Sequence, residues 1–519
     1  MVSGEAITQL KTRKYFPLQP YLVVISGALC MAAVGPSYLH GQANSLLQLV
    51  GMALLALCLV IHRDKTLSLT WLFASTWIAS SVWWLYIALH DVGKMPAVVA
   101  LVAIALLSTG LGFYYAAAFW LRKHLDNQQN GLLSHLLFAS CWTVAELARA
   151  QWFTGFPWSA IGYAHVNHTL SYLAPWVGVY GIGFIAAFIA SWCATSLLRT
   201  HQGKHTNKML VLVLAIVALP TWRSNDDQGI SLSVNLLQGN IDQIAKYTSE
   251  RQKALRWYAD ELLNSEADLT VLPEIGIPYF QQELPADYWA ALEKKFASGN
   301  QVALIGMPTL GDVAGYGNSA VGLGFGRQQQ YDKHHLVPFG EFTPATLKWF
   351  TSMMVNEMGE FNRGDLQQPP FSWKNNHISV TICYEDLFGE ELAARFVGAA
   401  PAPTLFVNMS NIAWFGNTMV VSQHLDIARM RSLEFDRPTV RATNTGATAF
   451  ISAQGEVISQ LPAFTENRLK TQVNGKQGNI TWYAFWAGHW GLMPLWALCA
   501  LVILASAIVN RVKQKNIRL

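Results

Sequence analysis

Apolar residues along this chain fall into two kinds of pattern. Long apolar runs occupy about 21–34, 45–62, 66–90, 96–121, 132–150, 171–198 and 208–222, and a last one lies at about 490–510. From Arg223 to about 478 the runs are short and alternate with charged and polar stretches. A helix needs about 20 apolar residues to cross the hydrocarbon core. The first pattern therefore predicts eight membrane helices, of which 21–34 and 208–222 are the shortest. Lys11, Arg13 and Lys14 precede the first run and give it a signal-peptide look. No small-x-small cleavage site leads into soluble sequence, and more apolar runs follow at once, so it reads as an uncleaved first helix.

The second pattern mixes two periods. Strand-like runs at 230–237, 268–272, 301–306, 318–325, 377–382, 404–407, 440–452 and 456–461 alternate with helical segments at about 247–265, 286–298 and 422–437. That alternation predicts sheets covered by helices, an α/β domain. The domain plan is a membrane part over 1–222, a soluble α/β domain over 223–478, and a last helix with its tail over 479–519.

Composition supports the division. Of 519 residues 52% are hydrophobic and only 13% charged, against roughly 25% charged in a soluble domain. A net charge of +4, with no basic run interleaved with aromatics, argues against nucleic acid as a partner. Lys and Arg concentrate in alternate loops: Arg63 and Lys65, then Arg122 and Lys123, then Arg199, Lys204 and Lys208, then Arg511, Lys513, Lys515 and Arg518. Segment 35–44 has none and 91–95 only Lys94. By the positive-inside rule both termini are cytoplasmic and the α/β domain is on the outer face, the periplasm in a bacterium.

Two features of the membrane part are chemical. Trp152-Phe153-Thr154-Gly155-Phe156-Pro157-Trp158 is aromatic and carries helix breakers, which suits an interfacial or re-entrant element or an aromatic anchor. Glu146 and Arg149 lie three residues apart on one predicted helix, where ionisable groups at membrane depth are paired or functional. A structural ion pair is the plainer reading, a lipid headgroup contact the other.

Of six cysteines (Cys30, Cys58, Cys141, Cys193, Cys383 and Cys499) only Cys383 stands in soluble-looking sequence. No CxxC or zinc spacing occurs, so neither disulfides nor a metal site is expected. Cys383 follows the strand-like run 377–382, Glu274 follows 268–272, and Lys333 follows Tyr331-Asp332. Singly, these are more often a core thiol, a cap and a solvated amine. Together, at strand ends in one domain, they offer a nucleophile, a base for its proton and a cation for an oxyanion. His334 and His335 show no triad context and read as structural.

Leu272-Pro273-Glu274, Lys333 with Leu336-Val337-Pro338-Phe339-Gly340-Glu341, and Ile382-Cys383-Tyr384-Glu385 resemble the nitrilase superfamily, whose members use a Glu-Lys-Cys triad on an αββα sandwich. With the membrane frame, the whole chain from about residue 20 resembles the superfamily's membrane-embedded apolipoprotein N-acyltransferases. Gly155-Phe156-Pro157-Trp158, Gln238-Gly239-Asn240-Ile241, Asn411-Ile412-Ala413-Trp414-Phe415-Gly416, and Arg437-Pro438 with Arg441-Ala442-Thr443-Asn444 carry that resemblance.

The resemblance implies transfer of an acyl chain, typically sn-1 of phosphatidylethanolamine, through a Cys383 thioester to the α-amine of a diacylglyceryl-cysteine. The partners are then a phospholipid donor and an apolipoprotein acceptor. The enzyme would be a monomer in the bacterial inner membrane and would need no cofactor. Glu274 would be general base and acid, and Lys333 and the Tyr384 N–H would hold the oxyanion. Glu341 and Glu385 would orient Lys333 and the incoming groups. Trp414 and Phe415 would lie on a mobile loop over the acyl chain. Tyr247 stands where family members often carry Trp, and Glu146, Arg149 and Trp158 complete the substrate-binding candidates. No Walker-type sequence is found, and ester-to-amide transfer is downhill without ATP. A membrane-tethered amidase, a transporter with an outer domain and a catalytically dead scaffold are the competing readings.

Overall fold

The computed structural model describes residues 19–32, 42–126, 131–197, 228–311, 315–326, 329–343 and 360–518. The chain divides into two compact units. One is helical and holds the apolar runs. The other takes Trp84–Ala100 together with Trp222–Gly491.

In the helical unit, helices run over Gln19–Ala32, Gln42–Ile61, Thr66–Ser81, Ala97–Leu125, Leu132–Gln151, Ala174–Leu197 and Met493–Arg518. Four helical spans among the described residues are long and apolar enough to cross a membrane: Asn44–Ile61, Ala97–Leu125, Thr169–Ser196 and Met493–Asn516. This is fewer than the eight expected, for separate physical reasons. Gln19–Ala32 has 14 residues and Thr66–Ser81 has 16, short of the ~20 needed. Leu132–Gln151 is long enough but carries His135, Glu146 and Arg149. The expected span at 208–222 lies outside the described residues. The run 66–90 is not one helix either. It ends at Ser81, and Ile87–Val92 forms a separate wide turn of π-helix in the second unit.

The second unit is built on two six-stranded sheets. The first has the order β12 (Asn467–Lys476), β1 (Gln228–Gln238), β2 (Leu269–Val271), β3 (Val302–Leu310), β4 (Tyr316–Leu323), β5 (Gln329–Asp332). The second has the order β11 (Val457–Gln460), β10 (Ala449–Ile451), β9 (Thr439–Thr443), β8 (Leu405–Ser410), β7 (Asn376–Ile382), β6 (Phe371–Trp373). The inner strands of each are parallel, β1-β2-β3 and β7-β8-β9, and the flanking strands antiparallel.

Alternation decides the layers. Leu232, Val234 and Leu236 of β1, with Leu269, Val271, Val302 and Leu304, share one core with Ile378, Val380, Ile382, Leu405, Val407 and Met409 of the other sheet. The opposite face of the first sheet, through Ala303, Ile305 and Val321, packs on Tyr258, Leu262, Leu292 and Phe296 of helices Arg251–Asn264 and Ala286–Phe296. Phe406 packs with Leu392, Phe435 and Tyr483 of helices outside the second sheet. Helix, sheet, sheet and helix follow in that order, the expected αββα sandwich.

The expected strand 440–452 is two strands. Asn444 turns its side chain onto the Ile241 backbone, accepting from its N–H at 3.0 Å and donating to its carbonyl at 2.7 Å, and this breaks the run. Strands β5, β6 and β12 went unread because they are short or, in β12, mostly polar.

Candidate active site

Parallel strands end together, and these ends carry the chemistry. Glu274 follows β2 in the turn Pro273–Gly276, and Gly306 beneath it has no room for a side chain, since a Cβ there would strike the Pro273 carbonyl. Lys333 follows β5. Its backbone N–H donates to the Asn318 carbonyl at 2.9 Å, continuing the antiparallel β4–β5 ladder. Asn318 therefore enters the site at the start of β4 as Lys333 enters at the end of β5. Cys383 follows β7 and opens the short helix Cys383–Leu387 with φ +53°, a left-handed conformation that is strained for a residue with a Cβ.

The buried Lys333 ammonium donates to Glu274 Oε1 at 3.0 Å and to Glu341 Oε1 at 2.8 Å. Asn318 Nδ2 bridges the same two oxygens at 2.8 Å each. Glu274 Oε2 accepts the Asn411 backbone N–H at 2.9 Å, and Glu341 Oε2 that of Val337 at 2.8 Å. Burial works against the lysine's charge, but Glu274 and Glu341 outweigh it and hold its pKa well above the usual lysine range. Burial pushes the Cys383 thiol up, Glu274 adds to this, and Lys333 opposes it. Cys383 therefore rests as a thiol under the influence of the Glu274 carboxylate.

This arrangement has spare capacity in the right places. An ammonium has three N–H donors, and two are used on carboxylates. A carboxylate has about four lone-pair positions, and Glu274 fills three. Moving the thiol proton to Glu274 also leaves the summed charge of the group unchanged, which favours the transfer in a low-dielectric site.

The supporting residues fall into place unevenly. Glu341 touches Lys333 directly. Glu385 instead accepts from Tyr331 Oη at 2.8 Å, from the His334 N–H at 2.7 Å, from the His335 N–H at 3.2 Å and from the Ile382 N–H at 2.7 Å. It ties the chain after Lys333 to the strand end before Cys383, and its described contacts run to backbone and Tyr331. Tyr384 is buried against His335 and Phe388. His335 meets Glu391 at 2.9 Å, and His334 meets the Gly364 carbonyl at 2.8 Å, contacts that suit the structural reading of both.

Trp414 and Phe415 lie in the short helix Ala413–Phe415, two residues beyond Asn411, and both are partly exposed. Phe415 packs edge-on against Trp84 at 4.7 Å, and Trp84 Nε1 donates to Gln423 at 3.1 Å. Tyr247 is partly exposed, while its neighbour Lys246 is buried with Nζ 3.4 Å from the Glu274 carbonyl. Burial pushes Lys246 down to about 7, against the pull of Glu274. Glu146, Arg149 and Trp158 belong to the helical unit, and the triad does not. There Glu146 accepts the Ile161 N–H at 2.9 Å and Arg149 donates to the Trp158 carbonyl.

Sequence reading missed Asn318, Lys246, His424 and Arg441. Asn318 had a signal, a polar residue at the head of an apolar strand. His424, Arg431 and Glu434 lie on the buried stripe of Val420–Phe435, where helical spacing alone expects apolar residues.

Comparisons with known proteins agree on one family. A family model described as the apolipoprotein N-acyltransferase N-terminal domain matches residues 26–192, and one described as carbon-nitrogen hydrolase matches residues 214–477. An apolipoprotein N-acyltransferase of Verminephrobacter eiseniae is 44% identical over 480 residues, covering 86% of this chain and 88% of its own. One of Ralstonia nicotianae is 40% identical over 441 residues, covering 83% and 84%. One of Bordetella bronchiseptica is 34% identical over 537 residues, covering 95% and 97%.

Proposed function

The chain belongs to the apolipoprotein N-acyltransferase family and is a lipoprotein N-acyltransferase, and on that premise we propose how its residues carry the transfer. The Cys383 thiol attacks the carbonyl of a phospholipid acyl ester, the sn-1 ester of phosphatidylethanolamine by preference. Glu274 takes the proton as the sulfur–carbon bond forms. The third N–H of Lys333 and the backbone N–H of Tyr384 hold the oxyanion. Collapse breaks the ester bond, Glu274 returns its proton to the departing alkoxide, and a lysophospholipid leaves behind a thioester.

The α-amine of a diacylglyceryl-cysteine then attacks the thioester. Glu274 takes the amine proton and delivers it to the leaving thiolate. The amide product carries the acyl chain, and the free thiol is restored. Glu341 and Asn318 keep Lys333 aimed throughout, and Glu385 keeps the strand ends in register. Trp414 and Phe415 cover the acyl chain, and Tyr247 stacks beside it. Glu146, Arg149 and Trp158 are the candidates for a lipid headgroup contact within the helical unit.

We read residues 1–222 and 479–519 as the membrane domain and 223–478 as the catalytic domain. The alternation of Lys and Arg between loops supports cytoplasmic termini and a periplasmic catalytic domain in the inner membrane.

The observation that carries the mechanism is the lysine held between two carboxylates with one donor left, next to a thiol whose own environment keeps it protonated. Mass spectrometry of the purified protein after incubation with phospholipid alone tests it. Cys383 gains the mass of one acyl chain, and a diacylglyceryl-cysteine peptide discharges it. C383A gains nothing. Wild-type protein that never acquires an acyl group on Cys383 overturns the reading.

A further inference from the structure

His424 lies on the buried side of the helix Val420–Phe435, 1% exposed, with its Nε2 3.1 Å from the Cys383 carbonyl oxygen. Its Nδ1 faces Arg441 Nη2 at 3.2 Å, and Arg441 Nη1 donates to the His424 carbonyl at 2.6 Å. A guanidinium can only donate. Nδ1 is therefore the lone-pair nitrogen, and Nε2 carries the hydrogen that goes to Cys383. Burial first, and then Arg441, hold this imidazole neutral. Arg441 is fixed in turn near Asp386 at 4.0 Å, and Asp386 accepts from Thr381 Oγ1 at 2.7 Å.

This tautomer excludes one role and suggests another. With its Nε2 lone pair replaced by a proton, His424 cannot take the thiol proton. Its donor instead grips the carbonyl of a strained residue. The Cys383 carbonyl and the Tyr384 N–H are opposite edges of one planar trans peptide. Holding one edge sets the direction of the other, and a hydrogen bond to the carbonyl also polarises the N–H. The strand side of the same elbow is held independently by Glu385 through the Ile382 N–H.

We infer that His424, locked by Arg441, is a positioning residue that aims the Tyr384 N–H at the developing oxyanion through the Cys383–Tyr384 peptide plane. The inference rests on the thioester mechanism proposed above and deepens it. It does not assign His424 any contact with substrate.

Two reactions of the same sulfur separate this role from a merely structural one. Acylation by phospholipid passes through an oxyanion, and alkylation by iodoacetamide does not. Losing an oxyanion donor costs roughly 10²–10³-fold. H424F should slow single-turnover acylation of Cys383 by about 30-fold or more, as a misaimed donor, while the alkylation rate changes by less than about threefold. H424Q, whose amide nitrogen can take the place of Nε2, should restore acylation to within about tenfold of wild type. H424N, whose amide reaches only the Nδ1 position, should not.

Equal slowing of both reactions in H424F, or no slowing of acylation, overturns the inference. If H424F does not fold, H424N and H424Q decide it, and equal acylation rates in those two overturn it. Wild-type protein that alkylates normally but never acquires an acyl group sinks the proposed function instead, so the two failures are distinguishable.

Discussion

Two buried clusters in this protein use the same residue types to opposite ends. In the catalytic unit, Glu274, Lys333 and Glu341 form a group in which all four carboxylate oxygens have donors, supplied by Lys333, Asn318 and the backbone of Asn411 and Val337. In the helical unit, Glu146 and Arg149 serve the backbone of the turn that follows their helix. Glu146 Oε2 and Arg149 Nε and Nη2 stay buried without a hydrogen-bond partner among the described residues. With every carboxylate oxygen paired, the first cluster holds one geometry around its spare ammonium donor, though Asn318 Oδ1 beside it also stays buried without a hydrogen-bond partner among the described residues. A charged pair with unpaired atoms of its own is held at a cost in stability. The difference marks where the protein needs precision.

Breaking the saturated cluster at its centre has the largest effect. K333M removes the oxyanion cation and leaves two buried carboxylates without their counter-charge. Single-turnover acylation falls by about 10³-fold or more, measured as thioester formed per unit time on Cys383. Trimming the cluster at its edge has less effect. N318A leaves one oxygen of each glutamate short of a donor, worth about 1–3 kcal/mol, and acylation slows roughly 10- to 100-fold with the protein still folded.

The raised thiol gives the cluster a pH signature. A thiol pushed above its ordinary value is almost wholly protonated near neutrality, so alkylation of Cys383 by iodoacetamide keeps climbing with pH past 9 without levelling. Acylation, in which Glu274 takes the proton, does not share that climb. Matching pH profiles for the two reactions would remove Glu274 from the base role.

The unsaturated pair is tested by stability, not rate. R149M leaves Glu146 buried without its neighbouring cation and lowers thermal stability by an amount equivalent to about 3 kcal/mol. Adding E146Q recovers part of the loss, so the double variant is more stable than R149M alone.

Lys246, a buried amine beside the Glu274 carbonyl, gives a stability test of the opposite sign. Its folded pKa of about 7 lies below the ordinary lysine value, so the unfolded chain binds more protons between the two and wild-type stability rises with pH across that window. K246M removes this dependence. It raises the melting temperature near pH 7, and its advantage shrinks as pH approaches 10. An advantage that grows with pH would mean the amine is charged in the folded state.

Much of this was legible in the sequence. The core strands 301–306 and 404–407 were readable as short, nearly continuous apolar runs, and 230–237 and 377–382 by their alternation of apolar with polar residues. Glu274, Lys333 and Cys383 stood out as chemical residues immediately after strands. The edge strand β12 was not readable, since alternate residues of Asn467–Lys476 face solvent and only Val473 and Gly475 are buried. Helix count was overread where a run was apolar but short, as at Gln19–Ala32, or where it bent, as after Ser81.

By itself, the sequence determined the division into helical and α/β parts, the αββα layering through its superfamily motifs, and the candidates for nucleophile, base and cation. Those follow from local period and residue type. Only the tertiary structure decided which groups surround them. Asn318 meets Lys333 because β4 and β5 are antiparallel. Asn411 meets Glu274 because the ends of strands in two different sheets converge. His424 reaches the Cys383 carbonyl because Val420–Phe435 packs its polar stripe inward. Such contacts join residues 15 to 137 positions apart, and the chain's local preferences carry no record of them.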